Sequence, residues 1–148
     1  MSHTTPQAVI RRETAHKYLT VRQLRHRHDI ERVQPIGEID LCTAPILRDV
    51  LADADRRAVP TVLVDLSEVG FLALIGVQVL QTAAERTAQG NRRLALVAPT
   101  PMVQRVLSLT DTTGALEIYA SMSNALSALA IKPIELPVTP APRTAPAP

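Results

Sequence analysis

At 148 residues and a formal net charge of +2, the chain is the length of one ordinary domain and can bury a hydrophobic core without disulfides or metals. Hydrophobic residues make up 46% of it and aromatics only 2%, so the core is aliphatic, and base stacking on exposed rings, the usual way to hold single-stranded nucleic acid, has only Tyr18, Phe71 and Tyr119 to draw on. The single Cys42 excludes an internal disulfide and fits a reducing compartment; no apolar run nears the ~20 residues that span a bilayer and no apolar signal region opens the chain, so a cytoplasmic protein without nucleic-acid or membrane partners is expected.

Residues 1–18 are polar, basic and aperiodic and are predicted to be a flexible segment. The basic character extends to Pro35, with Arg11, Arg12, Lys17, Arg22, Arg25, Arg27 and Arg32 set against Glu13, Asp29 and Glu31, and this stretch holds His3, His16, His26 and His28. Leu19 to Arg27 and Ile30 to Ile36 read as strands, the second weakened by Pro35. Thr43 is an expected N-cap, with Pro45 in the first turn and Ile46, Leu47, Val50, Leu51 and Ala54 marking an amphipathic helix to about Ala58, before Pro60. Thr61 to Leu66 is a β-branched run of the kind found in buried strands.

Gly76 to Ala88 presents Val77, Leu80, Ala84 and Ala88 on one face and predicts a helix ended by Gly90 in a left-handed cap. Arg93 to Ala98 is the next buried strand, Met102 to Leu109 a short helix, Asp111 to Gly114 a turn, and Leu116 to Tyr119 a short strand. Ser121 then caps a last helix carrying Met122, Ala125, Leu126 and Leu129. From residue 132 to 148 the closely spaced prolines predict a disordered tail, which leaves residues 19–131 as the folded domain. The alternation predicts an α/β fold with a mostly parallel sheet of four to five strands and about four helices.

Residues suited to catalysis do not converge. Asp40 and Asp65 follow strands and suit turn capping better than acid-base or metal chemistry. His26 and His28 share a strand face without a third ligand nearby, and Ser67 and Ser108 lack a neighbouring base. Neither a phosphate loop nor a dinucleotide fingerprint is present. No metal, cofactor or enzymatic activity is expected.

Two segments carry a family pattern. Gly37-Glu38-Ile39-Asp40, followed by Thr43, Ala44 and a helix, resembles the G-E-[LI]-D-x-x-[TN]-A element of bacterial STAS domains, and Val64 to Phe71 followed by Gly76 resembles that family's V-D-L-S-x-V-x-F-[ML]-D-S-[ST]-G segment. With the downstream elements the match covers roughly residues 19 to 131. The resemblance implies an anti-sigma-factor antagonist, in which the first Ser of the D-S-[ST]-G loop is phosphorylated by a partner that is both kinase and anti-sigma factor, and phosphate blocks binding. Aligned residue by residue, the family's Asp falls on Ala73, its phosphoacceptor on Leu74 and the following Ser or Thr on Ile75. None of the three can take the phosphate.

The resemblance therefore implies a partner-binding face of Asp40, Thr43, Leu72, Ala73, Leu74, Ile75 and Gly76 that engages an anti-sigma factor or related regulatory protein without the usual phosphorylation. The apolar run Phe71 to Ile75 is readable as a permanent contact surface or as a segment turned inward. A small-molecule or nucleotide sensor is the alternative function, since doubly wound folds bind ligands beyond the carboxyl ends of their strands. Self-association is also left open.

Overall fold

Two short links set the first half of the sheet. In the computed structural model, which describes residues 9–97, 99–110, 114 and 116–131, β1 (Val9–Ala15), β2 (Leu19–Arg27) and β3 (Ile30–Ile39) follow one another too closely for a crossover, so both pairings are antiparallel. From β3 onward helices carry the chain back and the remaining pairings are parallel. The later elements are α1 (Ala44–Arg56), β4 (Thr61–Asp65), β5 (Val69–Leu72), α2 (Leu74–Gln89), β6 (Arg93–Val97), α3 (Pro101–Thr110), β7 (Glu117–Tyr119) and α4 (Met122–Ile131). The strand order is β1-β2-β3-β4-β6-β7, with β5 paired to β3 beside this path.

This corrects the expected architecture. The fold is α/β with four helices, but the sheet is mixed and has seven strands, not mostly parallel with four or five. One added strand, β1, lies in the segment expected to be flexible. The other, β5, lies in the run between the fourth strand and the second helix. The expected tail from residue 132, the first eight residues and positions 111–113 of the expected turn lie outside the described residues.

Pro35 does not end β3. Pairing to β4 stops at Val33↔Val64 and pairing to β5 starts at Gly37↔Val69, so Pro35 lies between two neighbours, where a missing N–H leaves no partner unserved. Gly37 has φ +125, and a Cβ there would stand 2.3 Å from the Tyr18 carbonyl oxygen; only glycine fits this close approach.

Strand alternation divides the core between the two faces of the sheet. On one face Val33, Val62, Val64 and Leu96 pack with Leu47 and Leu51 of α1, Val77 and Leu80 of α2, and Val103 and Leu107 of α3. On the other, Ile30, Leu63, Ala95 and Val97 pack with Ala125 and Leu129 of α4, whose first turn is capped by the Ser121 hydroxyl accepting from the Asn124 N–H at 3.0 Å. The buried stripe of α2 runs Val77, Leu80, Ala84, Thr87, with Thr87 in place of the expected Ala88. Gly90 has φ −89, and the left-handed residue after this helix is Asn91 at φ 59. Among the described residues no helix is long and apolar enough to cross a membrane.

Candidate functional site

The carboxyl ends of β3 and β5 lie side by side, with Ile39 paired to Leu72 and the Ala73 N–H donating to the Ile39 carbonyl at 2.8 Å. This register brings the turn after β3 next to the start of α2. The turn is organised by Asp40. Its Oδ1 accepts from the N–H groups of Cys42 at 2.9 Å and Thr43 at 3.0 Å, and its carbonyl accepts from the Ala44 N–H at 2.8 Å. The Thr43 N–H foremost, with the Thr43 hydroxyl and the Cys42 N–H adding to it, holds the Asp40 carboxyl below its usual range.

Thr43 occupies the N-cap position of α1, but its side chain makes no cap to the helix. Its Oγ1 instead donates to the Glu38 carbonyl at 2.7 Å and accepts from the Asp40 N–H at 2.9 Å. Asp40 and Thr43 thus lock each other, and the locked turn leaves Leu41 and Cys42 exposed, Leu41 at 75%.

The predicted face divides by burial. Leu72 closes β5 and sits in the core at 2% exposure; Thr43 and Gly76 are buried as well. These three lie beneath the predicted face, and of the two readings left open for the apolar run, Leu72 follows the inward one. Ala73 is half-buried as the N-cap of α2, and Ile75 is half-buried against the core. Leu74, the first residue of α2, points outward at 56% exposure, with Phe71 at 43%. α2 therefore starts two residues before the expected Gly76. That glycine is needed for packing: a Cβ on it would lie 2.5 Å from Leu72 Cδ1 and 2.7 Å from Ile39 Cγ2.

From Ile75 an apolar cleft of about 300 Å³ runs between α1 and α2, lined among others by Leu51, Val79 and Ala83, with Arg48 and Arg86 also on its walls. The other acidic candidate is structural: Asp65 Oδ2 accepts from Arg32 Nη2 at 2.7 Å and Oδ1 from the Ser67 N–H at 3.0 Å. Sequence reasoning did not single out Leu41. Its position beside the Asp of the G-E-I-D element was the signal available.

A family profile for "Mlab, STAS domain" matches residues 23–118. The anti-sigma-F factor antagonist RsfB of Mycobacterium tuberculosis is 26% identical over 91 residues, covering 62% of this chain and 74% of that protein. Among solved structures, an anti-sigma factor antagonist from Mycobacterium paratuberculosis superposes with a TM-score of 0.70 at 26% identity, over 79% of this chain and 98% of that one. The anti-sigma factor antagonist SpoIIAA in its unphosphorylated form shares the fold, with a TM-score of 0.64 at 18% identity over 74% and 96% of the two chains.

Proposed function

The chain belongs to the STAS domain family, and from that premise we propose that it is an anti-sigma-factor-antagonist-like, non-enzymatic regulator of transcription that binds an anti-sigma factor or related regulatory protein. The proposed contact is independent of phosphorylation at the family's usual serine, a position that aligns with Leu74. The observation that carries the reading is the exposed Leu74 at the first turn of α2, beside the Asp40-locked turn that presents Leu41. Exposed aliphatic side chains on a rigid frame suit a lasting apolar contact, whereas a phosphoacceptor would need a hydroxyl there. Asp40, Ala73 and Ile75 belong to the same face, held from below by Thr43, Leu72 and Gly76, and the α1–α2 cleft continues it from Ile75. The proposed organisation is a domain over residues 19–131 that β1 extends at its amino side, followed by a proline-rich C-terminal segment.

The test is the affinity of the anti-sigma partner for the wild type, Leu74→Ser and Leu74→Glu, after circular dichroism has established native folds. Leu74→Ser should weaken binding by roughly 1 to 3 kcal/mol through lost apolar burial, and Leu74→Glu by more, because association buries an unpaired carboxylate. Equal affinities would remove Leu74 from the contact. Incubation with the cognate kinase and ATP should leave the segment from Phe71 to Gly76 without phosphate by mass spectrometry; stoichiometric phosphate on Ser67 would show that the protein is still under phosphorylation control.

A further inference from the structure

The amino ends of β3 and β4 carry a second concave site, at the other end of the sheet from Asp40 and Leu74. It has a volume of about 230 Å³ and is lined by Arg11, Arg25, Arg27, His28, Glu31 and Arg57, among others. These side chains come from β1, β2, the β2–β3 turn, β3 and the residue after α1. The fold thus gathers much of the basic character that the sequence spreads over its first third.

Most of the local carboxylates are already engaged. Glu31 is buried and accepts from Arg57 Nη1 at 2.9 Å and Nη2 at 2.8 Å. Asp53 accepts from Arg57 Nε at 2.8 Å and lies 3.8 Å from Arg11 Nη1. Exposed Arg27 stands 3.4 Å from half-buried Asp29. The side chain of Arg25 has no hydrogen-bond or ion-pair partner among the described residues, although its register places it between Val9 and the already paired Glu31. Four guanidinium groups therefore face three carboxylates, with one fork entirely unspent and His28 beside it.

The negative end of the α1 dipole points toward this pocket and opposes an anion. Arg56 and Arg57 close that helix end and offset it. Guanidinium forks match phosphate oxygens, with two parallel N–H donors per contact.

We propose that this pocket binds a small phosphate-bearing anion, with Arg25 and Arg27 as its principal contacts. The concave volume, and the carboxylates of Asp29 and Asp53 paired to its arginines, favour a compact anion over the backbone of a long nucleic acid, which needs a continuous basic track. The site lies at the amino ends of the parallel strands and is independent of the partner face proposed above.

The experiment is isothermal titration of the full chain with inorganic pyrophosphate at constant ionic strength, using the wild type, Arg25→Gln, Arg27→Gln and, as a control on α3, Arg105→Gln. Both pocket arginines are exposed, so the variants should keep the native circular dichroism spectrum. Saturable binding by the wild type, weakened about tenfold or more in each pocket variant and unchanged in Arg105→Gln, is the expected result. Absence of saturable binding, or equal loss in all three variants, overturns the proposal. Tighter binding of a duplex DNA oligonucleotide, weakened alike by all three substitutions, also overturns it, in favour of a diffuse basic surface.

Discussion

Asp40 holds the turn that presents Leu41, and its carboxyl is depressed by the N–H donors it accepts. A depressed folded value means that the stabilisation is present above the ordinary carboxylate range and is lost as pH falls through the folded value. Asp40→Asn, which keeps an acceptor without charge, should therefore melt above Asp40→Ala but below the wild type at neutral pH, and the gap to the wild type should narrow in acid; thermal melts across pH 3 to 7 read this. His26 works in the same direction at higher pH. Its Nδ1 is buried without a hydrogen-bond partner among the described residues and its protonation is resisted by burial and by Arg32 and Arg27. Stability should be intact above the ordinary imidazole value and decline as pH falls below it, and His26→Gln should flatten that part of the profile. Gly76→Ala presses a methyl onto Leu72 and Ile39 and should destabilise the domain by about 1 to 3 kcal/mol in urea unfolding.

β2, β3 and α1 are joined by a polar cluster inside an otherwise aliphatic layer. Gln23 donates to Glu31 at 3.2 Å and to Asp53 at 3.3 Å, and Arg57 clasps both carboxylates. Arg57→Met leaves Glu31 buried and unpaired and should lose about 3 to 5 kcal/mol, whereas Arg57→Met with Glu31→Leu should recover most of it; a double-mutant cycle by urea denaturation checks both. Helices were legible because their apolar stripes are long, and the buried strands β4 and β6 because they are unbroken β-branched or aliphatic runs. β1 was not, because Val9–Ala15 is polar and gains its structure from pairing with β2. The antiparallel turn at His28 and Asp29 was legible in principle, since two residues between strands cannot form a crossover. Asp40 could be placed from its motif. The burial of Leu72 could not, because five consecutive apolar residues, Phe71 to Ile75, carry no period that says which side faces in.

Across the whole molecule the two proposed sites stand at opposite ends of β3, whose ten residues span about 33 Å. Neither is expected to need the segment after Lys132, so a chain ending there should keep its melting temperature; a fall of more than a few degrees would assign that segment a packing role. The exchange of partners along β3 has a separate consequence. β4 is bonded on both sides, by β3 and β6, but among the described residues β5 pairs in the sheet with β3 alone, its further ties at Val69 being the N–H donating to the Leu66 carbonyl at 3.1 Å and the carbonyl accepting from the Thr100 hydroxyl at 3.3 Å. The sheet is forked at Pro35, and the short prong leads into α2 and carries Leu74 at its tip. Amide deuteration should reach β5 well before β4. Binding at Leu74 should slow it there first, so that exchange along this prong serves as a gauge of whether the partner is seated.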